Sequence, residues 1–574
     1  MSYKNSIIYI SLSIIMSSIV YGIYFNNIMA AIVLAVIFFV ISFLYLYINL
    51  DKNITTFIVC VLLFFLIGLI NNYLYYNKYS FVTVSNNENY FCGNVRLIKK
   101  CNFSYIGECR GRNIYVTGNI QDACIGDKFY IKGQFTKNID FEYGNIGEVK
   151  VKEERKIKDD FISYLYTLRL DLYNKIKDNL GDRKAALISS LSYGYSDYLD
   201  EEDKDEMRNL GVIHAISVSG LHVALIYEIV KKLLGKKGSV IVTFIYVVFT
   251  GLAFSSLRAF IMIFLKVFAV NFRKKYNALA ALAFSSIVII IYKPYAVFNL
   301  GFILSFTAIL GIILFLNNID KRLYKLPNFL RETVSMTIAS SIFTTPVLIY
   351  SFENISIVSI IGNLFVVPIL TIIIKIGNLL ILFINYTSIF DFLCYILLKI
   401  INILDYIIEL LYPFSSSCFI NKELSIIFCC ILISFYFYKK GHKKVMCLSL
   451  ASIIGFSINI YSPIMKLSYI DSGAILISYK GNRRIICNSQ NYEVSESKKK
   501  NLASDVTRQC SRVKINNIII TSEDDNYLLY VADKKYLLKI SNRTYISNKY
   551  DIINFVNKSV SDVYILNEDI LCIK

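Results

Sequence analysis

Two of the three histidines in this 574-residue chain, His214 and His222, fall in one apolar stretch, Gly211 to Glu228 (GVIHAISVSGLHVALIYE), together with Ser217 and Ser219. Imidazole and hydroxyl groups relay protons, hydrogen-bond a passing solute, or act together as base and nucleophile. Inside a bilayer such groups are costly, so they face a cavity, a pathway or a partner; the bland alternative is hydroxyls bonded back to their own helix and each His meeting one neighbour. On an unbroken helix His214 and His222 fall about 80° apart, with Ser219 about 60° from His222 and Ser217 on the far side of His214. That spread exceeds a narrow stripe. Either protein wraps the helix on several sides, or Gly220 opens it onto a wet cavity, where irregular backbone is tolerated at membrane depth.

Other residues have chemistry to offer. Arg258, beside Ser255 and Ser256 at the start of an apolar segment, either snorkels to the interface or contacts phosphate in a pore. Cys92, Cys101, Cys109 and Cys124 share one polar region, where a disulfide among them is expected if the region lies outside the cell; Cys101 and Cys109 could staple a hairpin, and four cysteines allow three full pairings. The acidic run Asp200 to Glu206 reads as a solvated loop rather than a metal site, since no His accompanies it. His442, in the basic turn KKGHKK, belongs by charge to an inside loop.

The elements that must position these groups follow from composition. With 55% hydrophobic and 18% charged residues and a mean hydropathy of +0.52, the chain reads as a polytopic α-helical membrane protein of about 11–13 membrane segments. The formal charge of +19 suits anionic headgroups or a polyanion. Abundant Lys, Ile, Asn and Tyr with no Trp resembles AT-rich coding, which discounts that signal.

Residues 1–78 hold three spans, Ser6 to Tyr24, Ile28 to Asn49 and Thr55 to Tyr76, the first retained rather than cleaved. Lys4 and Asp51-Lys52 favour an inside N-terminus, placing the next region outside. Residues 79–156 show short alternating runs with Gly, Asn and Asp turns, a small β domain of OB-like kind, extracytoplasmic. Residues 157–205 carry amphipathic, interfacial helices, with Phe161, Leu165, Leu168, Leu172 and Ile176 at helical spacing. Residues 206–462 form the main membrane domain; within it Ile355 to Ile384 reads as a hairpin or re-entrant pair, interrupted at Pro368 and Lys375, and Asp391 to Tyr412 as amphipathic. Basic clusters at Lys231 to Lys237, Arg273 to Lys275 and Asp320 to Lys325 alternate as the positive-inside rule requires. Residues 463–574 are a soluble tail of strands on the outer side.

GVIHAISVSGLHV resembles the signature of the ComEC family of competence proteins. SSLRAFIMI is similar to the family's Ser-x-x-Arg-Ala span, and NLGFILSFTAILGI to its Gly-Phe-x-Leu-Ser-Phe span, here Gly301 to Phe306, including Ser305. The resemblance implies a membrane channel passing single-stranded DNA through the cell membrane in natural transformation, using His214, Ser217, Ser219, Gly220, His222, Arg258, Gly301 and Ser305. It implies a DNA receptor outside and a cytoplasmic ATPase or helicase as partners. An OB-like domain would offer base-stacking faces from Tyr90, Phe91, Tyr105, Tyr115, Phe129 and Tyr130, though most of these must fill a small core. In longer members the tail resembles a metallo-β-lactamase with a His-rich metal site. Here SYIDSGAILISYKGNRRIICNS is similar to that domain's opening hairpin, but Thr521, Ser522, Glu523, Asp524, Asp525 and Asn526 stand where the metal motif should, without a His. A degenerate α/β remnant with no metal, cofactor or nuclease activity is therefore expected, and a separate nuclease with it. Two other readings remain: an intramembrane serine hydrolase using Ser219 and His222, for which one helix gives poor geometry, and a small-solute transporter, for which inverted repeats are not visible.

Overall fold

The structure is a computed structural model describing all residues but 1–5, 50–53, 86–87, 102–103, 119, 121–122, 159, 217, 357, 416, 440, 442–444, 471–472, 488–493, 509–511, 516–517, 524–525, 532–533, 541–549, 556–559, 561, 567–568 and 574. Ser217, His442, Asp524 and Asp525 thus lie outside the described residues. Contacts divide the chain into two compact units, Met1–Thr344 with Ser356–Ser416, and Thr345–Ile355 with Ser417–Lys574.

The first unit begins with α1 (Ser6–Asn26), α2 (Ile28–Asn49) and α3 (Ile54–Asn77). Six strands follow: β1 (Val82–Ser85), β2 (Glu88–Lys100), β3 (Ser104–Cys109), β4 (Arg112–Thr117), β5 (Lys128–Thr136) and β6 (Asn145–Lys156). Their order is β1-β2-β3-β4-β6-β5, and β5 also pairs with β2, so five strands close into a barrel in which only β4 and β6 run parallel. Arg110 and Gly111, both at positive φ, make the two-residue turn between β3 and β4, the conformation that matches the twist of a tight hairpin. Phe91, Val95, Leu97, Ile114, Phe129, Ile131, Ile146 and Val149 fill the interior. Tyr90, Tyr105, Tyr115 and Tyr130 are only part-buried. Phe91 and Phe129 are thus core and Tyr105, opposite Val116, packs against it, while Tyr90, Tyr115 and Tyr130 stand towards the outside.

The barrel is tied to the helices below it. The Arg112 guanidinium donates to the carbonyls of Leu74 and Tyr75 at 2.9 and 2.8 Å, and the Tyr75 hydroxyl donates to the Gly144 carbonyl at 3.0 Å. Asn113 reaches the Tyr295 hydroxyl at 3.1 Å, and Gly144, at φ +68°, lies so close to the Tyr295 ring that a Cβ there would come within 2.1 Å of it.

Helices α4 (Phe161–Leu180), α5 (Asp182–Tyr193) and α6 (Glu201–Asn209) follow. The acidic run expected as a loop is instead α6. Three carboxylates, Glu201, Glu202 and Asp203, occupy its first turn, where the helix dipole favours negative charge, and Glu201–Lys204 and Asp205–Arg208 pair one turn apart.

Next come α7 (Gly220–Phe249), α8 (Phe254–Asn271), α9 (Ala278–Tyr292), α10 (Leu300–Arg322), α11 (Asn328–Phe352), α12 (Ser359–Leu382) and α13 (Thr387–Leu411). Gly235, at φ +70°, breaks α7 into two half-length arms. The stretch read as a hairpin is one helix, α12, which runs through Pro368 without reversing; a proline in a packed apolar helix loses one backbone bond but need not end it. The amphipathic α13 buries Phe390, Leu393, Leu397, Ile401, Leu404 and Ile408 on one face against residues of α4, α5 and α12. Among the described residues seven helices are long and apolar enough to cross a membrane, and four more are apolar but shorter. The chain is a mostly helical, polytopic membrane protein in architecture.

The second unit contains α14 (Glu423–Lys439) and α15 (Met446–Tyr461), joined where the Asn459 amide donates to the Glu423 carboxylate at 2.7 and 2.8 Å. After them come two sheets. One orders Asp505–Arg508, Asn482–Cys487, Ala474–Tyr479, Met465–Ile470, Asp562–Leu566 and Asp569–Ile573; the other orders Val513–Ile515, Ile518–Glu523, Asn526–Val531, Lys534–Lys539 and Asp551–Asn554. Leu467, Ile477, Ile520, Leu529, Leu538 and Val563 share the core between them. Within the tail the described helix is α16 (Val494–Lys500), seven residues long, so the described tail is a two-sheet β structure more than an α/β one.

Candidate functional site

The histidine motif is not one helix. Gly211, at φ +73°, turns the chain where a Cβ would meet Ser359 at 2.5 Å; a single 3-10 turn, Ile213–Ala215, follows, and α7 starts only at Gly220. Gly220 is therefore the first residue of a helix rather than a break within one.

Ser219 caps that helix. Its hydroxyl accepts from the Leu221 amide at 3.3 Å, while Nδ1 of His222 lies 3.0 Å from both the Ser219 amide, which donates to it, and the Ser219 hydroxyl. This is a reciprocal cap in which imidazole takes the place usually held by Glu or Gln. Accepting at Nδ1 fixes the proton on Nε2. That nitrogen is buried and turned towards the Leu191 carbonyl without a well-formed hydrogen bond.

His214 is different. It sits in the 3-10 turn before α7 and is exposed. It lies within electrostatic range of His222.

Arg258 completes the group. It sits one turn into α8, is 5% exposed, and donates from Nη1 to the Ser305 carbonyl on α10 at 2.8 Å. Its Nε has no partner, and among the described residues it forms no ion pair. Its Nη2 rests against the first residue of α7, since a Cβ on Gly220 would stand 2.4 Å from that nitrogen. A helix-end arginine that snorkelled would turn to the surface; this one turns inward. Burying a guanidinium without a counter-ion costs several kcal/mol, about what is lost when a buried ion pair is broken, and the helix N-terminus beside it adds a further partial positive charge. Among the described residues, Arg258 is thus a buried guanidinium with no carboxylate against it.

The remaining sequence candidates divide. Ser305 belongs to the site through its carbonyl, and its own hydroxyl is buried without a partner. Gly301 is exposed in the first turn of α10, its amide donating to the cap residue Asn299 at 3.0 Å. Ser255 ties the two loops together by donating to the Val218 carbonyl at 2.8 Å.

Sequence reasoning missed Arg169. It is 4% exposed on α4, stacks 3.9 Å above the Tyr166 ring and leaves Nε and Nη2 without hydrogen bonds. Its Nη1 faces Gly251 in the loop that leads into α8. The signal was available: Arg169 keeps the helical spacing of Leu165, Leu172 and Ile176, and so belongs to the buried stripe.

The four barrel cysteines are unpaired thiols here. Cys101 precedes β3 and Cys109 ends it, so the six-residue strand separates them by about 17 Å, far beyond the 7 Å a bridge tolerates. A hairpin staple between those two is excluded. Cys109 is buried, whereas Cys92 and Cys124 are exposed. In the tail, Thr521, Ser522 and Glu523 end one strand and Asn526 begins the next, with its Oδ1 accepting from the Ile540 amide at 2.8 Å.

Residues 191–441, which contain the histidine motif, Arg258 and Ser305, match the family described as Competence protein. ComE operon protein 3 of Bacillus subtilis (strain 168) is 25% identical over 276 residues, covering 46% of this chain and 34% of that protein. Residues 191–441, somewhat under half of the chain, thus carry the similarity to the competence-protein family. Uncharacterized proteins of Mycoplasma genitalium and Aquifex aeolicus are each 29% identical, over 166 and 188 residues, covering 28% and 30% of this chain and 42% and 45% of theirs. The matches thus span less than half the length of each of these relatives. No solved structure matches the chain.

Proposed function

We propose that this chain is a channel for single-stranded DNA at the cell membrane in natural transformation, and that Arg258 with the N-terminus of α7 contacts the backbone phosphates as they pass. One observation carries the reading: a buried guanidinium without a carboxylate, held against a glycine at the positive end of a helix. Phosphate is the ligand such a pair binds best. The direction of the helices adds support. The first arm of α7, α8 and α10 all end in basic clusters, Lys231 to Lys237, Arg273 to Lys275 and Lys321 to Lys325. If those clusters face the cytoplasm, all three N-termini point outward, towards incoming polyanion.

The strand order and the β4–β6 parallel pair support an OB-like barrel, extracytoplasmic, whose outward tyrosines and the lysines over Tyr90 and Tyr143 suit stacked bases and phosphates. The four shorter apolar helices, added to the seven long ones, suit a count of 11–13 membrane segments. A receptor outside, a cytoplasmic ATPase or helicase and a separate nuclease complete the assembly. The tail is a degenerate metallo-β-lactamase-like domain that cuts no DNA; metal-dependent cleavage of single strands by the full chain, lost on mutating Asp524 and Asp525, would refute that part.

The test is uptake of labelled DNA by a deletion strain carrying this chain. Wild type should restore uptake, and Arg258→Ala should not, although it reaches the membrane in equal amount.

One contact favours a second reading, an intramembrane serine hydrolase: the Ser219 hydroxyl is 3.0 Å from His222 Nδ1. Against it, the same Nδ1 already accepts the Ser219 amide, and among the described residues no carboxylate orients the ring. Labelling of Ser219 by a fluorophosphonate, with normal DNA uptake in Ser219→Ala, would favour that reading over transport.

A further inference from the structure

Away from the histidine motif, α6 and α13 bring charge together that is remote in sequence. A cavity of about 360 Å³ is lined by Arg183, Glu202, Asp203, Glu206, Asp405 and Glu409. Five carboxylates therefore face one guanidinium, in a chain whose overall charge is +19. Arg183 is largely committed: its Nε and Nη2 donate to Oδ1 of Asp203 at 2.9 and 2.8 Å, and Nη2 lies 3.5 Å from Asp405. The second oxygen of Asp203 is left over. Asp203 is 7% exposed, and its Oδ2 is buried with no hydrogen-bond partner although the residue lines the cavity. A buried carboxylate oxygen without a donor is costly, and four more carboxylates around it make the site electrostatically incomplete. Burial, with the neighbouring carboxylates of Asp203, Asp405 and Glu202 adding to it against the pull of Arg183, holds the Glu206 carboxyl above its ordinary value.

We propose that this cavity binds a hydrated divalent cation of the hard class, Ca²⁺ or Mg²⁺, which ties α6 to α13. Among the described residues no three acidic or imidazole groups converge closely enough to ligate a bare ion. The ion therefore keeps its water shell, as Mg²⁺ habitually does, and the carboxylates accept hydrogen bonds from those waters. At about 30 Å³ for each water in the liquid, the volume holds an ion with six waters. Cation binding stabilises the chain segment immediately before Gly211, because α6 ends at Asn209 and Met207, Leu210 and Val212 are buried in the same core as Leu404 and Ile408 of α13.

The experiment is calorimetric titration of the purified full-length chain in nanodiscs with CaCl₂ and with MgCl₂ at constant ionic strength. The expected result is one saturable site per chain for at least one ion, with affinity at least about tenfold weaker in Asp405→Asn and in Glu409→Gln, since ligand charge sets affinity at such sites. Those two carboxylates do not carry the bidentate contact to Arg183, so the fold survives the change; a saturable rise in Tm with the ion, absent in both variants, is the second readout. No saturable binding of either ion, affinity unchanged in both variants, or saturable binding of spermidine but of neither metal would overturn the proposal.

Discussion

At the scale of single residues, the site is held by a cap and a close approach. Ser219 and His222 satisfy each other at the start of α7, so Ser219→Ala should cost about 1 kcal/mol of stability, typical of a lost N-cap, while His222→Gln, which can still accept at the same position, should cost less. Thermal unfolding of the detergent-solubilised chain measures both. Gly220 behaves differently. Alanine there places a methyl 2.4 Å from Nη2 of Arg258, an atom at the free end of a long side chain. The guanidinium moves aside and the helix does not. Gly220→Ala should therefore keep a near-wild-type Tm yet reduce DNA uptake by about tenfold or more, the effect of misplacing an interaction worth about 1.4 kcal/mol; a large Tm loss with uptake retained would contradict the contact.

At the scale of elements, the sequence was a fair guide to existence and a poor one to interruption. The length of apolar runs located α1 to α3, and hydrophobic periodicity the barrel strands and the stripe of α13, because burial imposes those repeats directly. It could not show that the motif is a 3-10 turn followed by a helix start, since the break depends on Ser359 packing against Gly211, a neighbour about 150 residues away. For the same reason Pro368 misled: whether a proline ends a helix depends on what surrounds the freed carbonyl. Arg258 was singled out by its place at the start of an apolar segment and Ser305 through a resemblance, and only packing shows that they touch. The cysteines test the placement of the barrel. With Cys92 and Cys124 exposed and Cys109 buried, a membrane-impermeant maleimide applied to intact cells after mild reduction should modify the first two and spare the third. Labelling of Cys92 and Cys124 only after permeabilisation would put the barrel on the inside.

At the scale of the whole molecule, the account rests on a chain of contacts from barrel to membrane. Arg112 and Asn113 tie the barrel to α3 and Tyr295, Tyr295 packs on Phe254 at the start of α8, and Phe254 packs on Phe302 of α10, each ring pair about 6 Å apart by centroids 5.8 and 6.2 Å. Arg258 stands one turn further along α8. These contacts lead from the barrel to Arg258, a buried guanidinium held against Gly220. The most direct test is the salt dependence of single-stranded DNA binding by the purified full chain, wild type against Arg258→Ala. Each phosphate contact to a single strand contributes about 0.7 to the slope of log K against log salt concentration. The account predicts that Arg258→Ala lowers the slope by about that amount while Arg258→Lys keeps it; an unchanged slope in Arg258→Ala would contradict it.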